Sequence, residues 1–145
     1  MKIFDKTFNC IGKSELKKIA KELSVKIKEG DIIELIGELG TGKTYFVKCI
    51  CEYYKIKNVS SPSFNIFNQY NGKLNVFHFD FYRIKSKNEL FNIGFYENLS
   101  DNDAVKFIEW PNLIPDAIPI VNYRIYFDYC KEHKLKRNII IVCFK

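Results

Sequence analysis

The stretch Gly37-Glu38-Leu39-Gly40-Thr41-Gly42-Lys43-Thr44 meets the pattern G-x-x-x-x-G-K-[ST] at every fixed position, and that pattern is a phosphate-binding loop. The residue types follow from the ligand. Backbone N–H groups must wrap a β-phosphate at close range, in positive-φ conformations that glycine adopts without a Cβ clash. Lys43 brings a point charge to the β- and γ-oxygens and Thr44 offers a hydroxyl to Mg²⁺. A helix starting near Lys43 aims the positive end of its dipole at the phosphates. All eight residues, Gly37, Glu38, Leu39, Gly40, Thr41, Gly42, Lys43 and Thr44, are therefore read as the nucleotide-binding segment.

The flanking sequence supplies the scaffold that this mechanism needs. Asp31 to Ile36 reads as a short apolar strand entering the loop, and Phe46, Val47, Ile50, Cys51 and Tyr54 recur at helical spacing after it. Upstream, Ser14 to Leu23 carries an N-cap serine and apolar residues at 16, 19, 20 and 23, the pattern of an amphipathic helix. Downstream, 64–70 and 74–80 are strand-like and joined by Asn71-Gly72, a strong hairpin signal. A polar helical segment is expected from Ser86 to about Leu99, weakened by Gly94. Ala104 to Glu109 is another short strand, stopped by Trp110-Pro111. The chain closes with strands over 124–128 and 138–143 around a basic loop of Lys131, His133, Lys134, Lys136 and Arg137. These elements specify a three-layer α/β P-loop fold with a mixed, partly antiparallel central sheet.

At 145 residues the chain fits one domain spanning 1–145, a size that buries roughly 68–70% of the unfolded chain's surface. Neither repeats nor low-complexity tracts mark a linker. Residues 1–7 include an acid and two lysines, unlike the continuous apolar core of a signal peptide. The longest apolar run, Ile139 to Phe144, is too short to span a bilayer. The expectation is a cytoplasmic protein with no membrane attachment. Five dispersed cysteines (Cys10, Cys49, Cys51, Cys130, Cys143) are an odd number and favour reduced thiols. Cys49 and Cys51 point to different faces of a helix, and with only His78 and His133 elsewhere no metal-ligand set is expected. The net charge of +6 is mostly lysine, with arginines only at 83, 124 and 137. It reads first as solvated surface, and second as a polyanion-facing one.

A nucleotide site with Mg²⁺ needs a carboxylate at the end of a strand near the loop, because Mg²⁺ demands oxygen ligands in tight octahedral geometry. Asp80 and Glu109 both meet that requirement. Each ends an apolar strand, and spacing leaves open which of them ligates the metal and which orients the attacking water. Lys43, Asp80 and Glu109 are the catalytic candidates; Thr44, Asp80 and Glu109 are the metal candidates. His78 shares a strand face with Asp80, so it either supports the site or is a satisfied core residue. Arg83 is either a catalytic guanidinium or an ion-pair partner, and Trp110 packs on a nucleotide, a partner or the core.

Taken in order, these segments resemble the TsaE family of bacterial P-loop ATPases, which act in tRNA threonylcarbamoyladenosine biosynthesis. Ser61-Pro62-Ser63-Phe64 resembles the family's Ser-Pro-Thr-Phe, and residues 78–83 (His-Phe-Asp-Phe-Tyr-Arg) resemble its His-x-Asp-x-Tyr-Arg. Glu89-Leu90 with Gly94 and Glu97 resembles the helical stretch that follows, and Ile108-Glu109-Trp110-Pro111 the Glu-Trp motif. The match runs from about Ser14 to the closing strands, which are its least matched part. The resemblance implies a cytosolic protein that binds ATP and Mg²⁺, hydrolyses ATP weakly alone, and acts with TsaD and TsaB, reaching tRNA through that complex. By position it implies phosphate binding by Lys43, metal ligation by Thr44, service to the metal or water by Asp80 and Glu109, and a switch-like loop from Ser61 to Phe64. Ser63 stands where the family usually has threonine, keeping the hydroxyl without the stiffening β-branch.

Three other functions fit the loop less well. A small-molecule kinase needs an acceptor pocket and usually a basic lid, and arginines are few here. No Asn-Lys-x-Asp stretch suggests a GTPase. An RNA-binding module with a vestigial site conflicts with the intact Lys43-Thr44 pair, and Phe77, Phe79 and Phe81 alternate as a core face would.

Overall fold

Ile32 to Ile36 is apolar on both faces apart from Glu34, and such a run is stable as a strand only when both faces are covered. It lies accordingly at the centre of a sheet. The computed structural model describes residue 2 and residues 4–145. Met1 and Ile3, part of the opening stretch read for an export signal, lie outside the described residues. The strands are β1 (Phe4–Ile11), β2 (Ile32–Ile36), β3 (Phe67–Tyr70), β4 (Asn75–Asp80), β5 (Ala104–Glu109), β6 (Tyr123–Tyr129) and β7 (Arg137–Cys143). The helices are α1 (Lys13–Ser24), α2 (Lys43–Tyr53), α3 (Lys87–Asn92) and α4 (Phe95–Leu99), with a 3-10 turn at Pro111–Leu113.

The spatial order is β1-β7-β6-β2-β5-β4-β3. The centre is parallel: β2 pairs with β5 and β6, and β4 with β5. The wings are antiparallel, with β1 and β6 flanking β7 and β3 on β4. The mixed three-layer architecture is thus as the sequence specifies. On one face α1 and α2 cover Ile33, Leu35, Val76, Val105, Phe107 and Ile125; on the other, α3 and α4 cover Ile32, Phe77, Phe79, Ala104 and Ile108. Period-2 alternation then sorts the polar residues. His78 and Asp80 share the face of Val76, and Glu109 that of Val105 and Phe107, so all three lie on the α2 side.

Local expectations are corrected in five places. Ser14 lies inside the first turn of α1, because the chain leaves β1 at Gly12, whose carbonyl accepts the Leu16 N–H at 3.0 Å. The strand expected from Phe64 begins at Phe67: Ile66 is left-handed at φ 67° and its N–H bonds the Pro62 carbonyl, closing a turn. The helical segment over 86–99 is two helices, because Gly94 at φ 74° ends one and caps the next; Ser86 caps the first by accepting the Glu89 N–H. An edge strand, β1, was not expected at all. Its residues 5, 6, 7 and 9 are exposed, so it carries little apolar alternation to read.

The fifth correction concerns the cysteines. Cys10 and Cys130 form a disulfide across 120 residues of sequence, with Cα atoms 5.3 Å apart. The cause is topological: β1 and β6 flank β7, and an irregularity between Phe8 and Ile11 brings Cys10 beside the end of β6. Cys49, Cys51 and Cys143 are free and buried. Cys10, Cys130 and Glu132 place one sulfur or oxygen atom each within 4.8 Å of one another, but both sulfurs are joined in the disulfide and offer no thiolate to a metal. Among the described residues, no helix is long and apolar enough to cross a membrane.

Two glycines test the packing around the loop. A Cβ at Gly37 would lie 2.6 Å from the Phe127 carbonyl oxygen and 2.7 Å from Thr41 Oγ1, whereas one at Gly12 meets nothing within 4 Å. Gly37→Ala is expected to destabilise by about 1–3 kcal/mol, as overpacking does, and Gly12→Ala to stay within about 0.5 kcal/mol. Urea denaturation of both variants checks this, and equal stabilities would contradict the packing described.

Candidate nucleotide-binding site

The loop between β2 and α2 is shaped by its glycines. Gly40 and Gly42 sit at φ 77° and 105°, left-handed conformations that a side chain would strain, and Gly42 caps α2. Thr41 donates its hydroxyl to the Glu38 carbonyl at 2.7 Å. Lys43 curls back so that Nζ donates to the carbonyls of Gly37 and Glu38, the latter at 3.1 Å, and lies 4.2 Å from the centre of the Trp110 ring. Burial lowers the Lys43 pKa, outweighing the charges of Glu109, Asp80 and Glu38 that act in the opposite direction. Two neutral carbonyls do not replace the lost hydration of an ammonium, so this end of the loop favours an added anion.

Register aligns the acids. Glu109 stands opposite Leu35 on β2 and opposite Asp80 on β4, at the carboxyl ends of three parallel strands. Thr44 Oγ1 donates to Glu109 Oε1 at 2.7 Å, and the same oxygen lies 3.2 Å from His78 Nε2. His78 is wholly buried behind the acid, and its Nδ1 has no partner among the described residues. Burial alone would push the Glu109 carboxyl up, but His78, Thr44 and Lys43 together bring its pKa below the ordinary value. Asp80 goes the other way. Burial raises its pKa and the Glu109 charge adds to that, against hydrogen bonds from the Tyr82 N–H at 2.8 Å and the Ser63 hydroxyl at 2.9 Å. Two carboxyls in one site with oppositely displaced pKa values suit two different roles.

These groups open onto a cavity of about 340 Å³. Thr44, Ser61, Ser63, Asp80, Tyr82 and Glu109 form its polar end; Ile11, Leu16, Leu39 and Leu135 give it apolar walls, with Lys13, Arg137 and Trp110 also on the lining. Of the sequence candidates, Leu39 to Thr44, Asp80 and Glu109 meet at this cavity, while Gly37 and Glu38 act from beneath by holding Lys43. Ser63 stands within the site through its bond to Asp80. Trp110 lies against Lys43 and packs at a tilt of 49° against Tyr82, with ring centres 5.0 Å apart. Arg83 is not brought in: it is exposed, 4.6 Å from the ring of Phe64, itself 82% exposed. Arg137 reaches the loop, donating to the Gly40 carbonyl at 3.2 Å. Sequence reasoning missed Ile11, Lys13, Leu16 and Leu135, for which the only signal was Gly12 ahead of a helix and the basic loop.

The donor set fits the group the loop implies. A threonine hydroxyl on a carboxylate, with a second carboxylate on the adjacent strand, is the hard oxygen chemistry that Mg²⁺ takes. Oriented glycine backbone and a desolvated lysine at a helix N-terminus fit a polyphosphate.

The chain is similar to known proteins of one family. The family model described as "Threonylcarbamoyl adenosine biosynthesis protein TsaE" matches residues 11–139. The tRNA threonylcarbamoyladenosine biosynthesis protein TsaE of Rickettsia prowazekii (strain Madrid E) is 41% identical over 105 residues, 70% of this chain and 72% of that protein. The protein of the same name from Bacillus subtilis (strain 168) is 36% identical over 111 residues, 75% of this chain and 68% of that protein. The crystal structure of Bacillus subtilis YdiB superimposes with a TM-score of 0.74 at 27% identity, covering 100% of this chain and 88% of that one.

The raised pKa of Asp80 fixes the sign of a stability effect. An acid whose folded pKa is raised costs stability above that pKa, and the cost disappears as pH falls through it. Asp80→Asn, which keeps an oxygen for the Tyr82 N–H, is expected to melt higher than the wild type at neutral pH without metal or nucleotide, the difference closing in acid. Thermal melts at a series of pH values check this, and a less stable variant at neutral pH would contradict it.

Proposed function

This chain belongs to the TsaE family, and we propose that it acts there as an accessory ATPase of tRNA N6-threonylcarbamoyladenosine formation, binding Mg·ATP in the cavity beside α2. The observation that carries this reading is the Thr44 hydroxyl on Glu109 at 2.7 Å, with Asp80 in register one strand away. Lys43 exchanges its two carbonyl partners for the β- and γ-oxygens. Thr44 and Glu109 would hold the metal, because they already share a contact and the pKa of Glu109 is lowered. Mg²⁺, when bound, neutralises charge on the phosphate oxygens. Asp80 orients the water and is the better base to hold its proton, since its pKa is raised while that of Glu109 is lowered. Ser63 ties Asp80 to the 61–64 loop, which gives that loop a route to sense the γ-phosphate.

Slow hydrolysis alone follows from the arginines. Transition-state charge in phosphoryl transfer is commonly met by a guanidinium, but Arg83 lies on Phe64 and Arg137 is engaged with the carbonyls of Gly40, Lys134 and Lys136. We assign the stimulating partners to TsaD and TsaB, as the family resemblance implies, with tRNA reached through them. No observation in the site favours the small-molecule kinase reading.

Phosphate release measured with and without TsaD–TsaB and tRNA tests the proposal. Turnover is expected to rise at least about tenfold on adding them, the direction in which a completed phosphoryl-transfer site moves the rate. Unchanged turnover, or rapid phosphorylation of a small metabolite, would overturn it. Calorimetry adds a residue-level check: Lys43→Ala is expected to lose nucleotide binding, and Glu109→Ala to keep metal-free binding while losing turnover. Normal binding by Lys43→Ala would show the site to be misassigned.

A further inference from the structure

Each cysteine of the disulfide is the chain neighbour of a residue that shapes the nucleotide cavity. Cys10 precedes Ile11, Gly12 and Lys13, which line the cavity. Cys130 follows Tyr129, whose hydroxyl donates to the Leu39 carbonyl in the phosphate loop. It also opens the segment that carries Leu135 and Arg137 to the cavity; Arg137 is the β7 partner of Ile11 and donates to the Gly40 carbonyl at 3.2 Å. The bond therefore ties the base of the 130–136 loop to the end of β1, beside the pairing of Ile11 with Arg137. Cys10 is held in place at a left-handed φ of 49°, its N–H bonded to Asn138 Oδ1 at 2.8 Å, a conformation uncommon for a residue with a side chain.

The surroundings of the sulfurs are those of a pair that also exists reduced. Glu132 Oε2 lies 3.3 Å from Cys10 Sγ and 3.2 Å from Cys130 Sγ. A disulfide has no hydrogen to donate, whereas two thiols would each donate to that carboxylate. The same side chains thus accommodate both oxidation states without rearrangement of the strands. Cys10 is half-buried and Cys130 buried, so a reagent from solvent meets Cys10 first. The remaining thiols are set apart from this chemistry: Cys49, Cys51 and Cys143 are buried, and burial pushes the Cys51 thiol up to about 12.

We propose that Cys10, Cys130 and Glu132 form a redox-active dithiol site that exchanges with low-molecular-weight disulfides such as glutathione disulfide and sets the affinity of the adjoining nucleotide cavity. In the forward direction the Cys10 thiolate attacks one sulfur of the small disulfide, forming a mixed disulfide and releasing one small thiolate. The Cys130 thiolate then attacks Cys10 Sγ, forming the protein disulfide and expelling the second small thiolate. The two protons lost by the cysteines end on the two small thiols, so two protein thiols are oxidised as one small disulfide is reduced. The oxidised pair pins the base of the 130–136 loop, which carries Leu135, beside Ile11–Lys13 and pre-organises the rim; reduction leaves the β1–β7 pairing intact and frees that loop to move. The inference rests on the nucleotide reading of the cavity.

The test is ADP titration of the full chain, by calorimetry, after equilibration with glutathione disulfide and after reduction with dithiothreitol, together with Cys10→Ser and Cys130→Ser. The oxidised protein is expected to bind ADP roughly 3- to 10-fold more tightly, the gain that ordering one or two rim side chains in advance provides. Both serine variants should bind as the reduced wild type does, whichever the treatment. Peptide mapping under non-reducing conditions should find Cys10 joined to Cys130 only in the oxidised sample. Equal affinity in the two states, redox sensitivity that persists in the serine variants, or one equivalent of zinc retained by the reduced protein would each overturn the proposal. Failure of both forms to bind ADP would instead overturn the nucleotide reading.

Discussion

The hydrogen bond from Thr44 to Glu109 is the contact on which the rest of the site depends. It joins the head of α2 to the end of β5, so it exists only if β5 is the parallel neighbour of β2 in the observed register. A slip of one residue would turn Glu109 to the opposite face of the sheet. A buried carboxylate is costly unless its lone pairs are engaged, and here Thr44, His78 and Lys43 supply that engagement. His78, wholly buried behind Glu109 with Nδ1 unpartnered among the described residues, is therefore a structural support of the acid and not the satisfied core residue that its position in β4 also allowed.

The phosphate end and the rim of the cavity have different origins in the fold. The parallel strands β2, β5 and β4 deliver the loop, Glu109 and Asp80 to one edge, as crevices at strand carboxyl ends do in open α/β sheets. The antiparallel wing delivers the rim: Ile11 ends β1, and the 130–137 segment joins β6 to β7. Phosphate chemistry constrains the first set tightly.

What could be read from sequence divides along the same line. The loop, the strand entering it and the helix leaving it were legible because glycine spacing and apolar periodicity are local properties. So was the Asn71-Gly72 hairpin between β3 and β4. Asp80 and Glu109 were legible as strand-end acids, but not the division of roles between them, because that depends on which strand lies beside β2. The split at Gly94 appeared in sequence only as a weak helix, since its left-handed backbone is a property of the folded chain. β1 was invisible: as an edge strand it buries little, and its partner β7 lies at the other end of the chain. The Cys10–Cys130 bond was hidden for the same reason, and the reading of five reduced thiols followed from dispersal along a sequence that the fold brings together.

The measurement that bears most directly on this account is a double-mutant cycle on Thr44→Ala and Glu109→Gln, read as the gain in ADP affinity on adding Mg²⁺. If the hydroxyl and the carboxylate hold one metal ion between them, the two substitutions are strongly coupled, by about 1–3 kcal/mol, and the double variant loses little more than either single one. Effects that add to within about 0.5 kcal/mol would contradict the account, because independent sites behave that way.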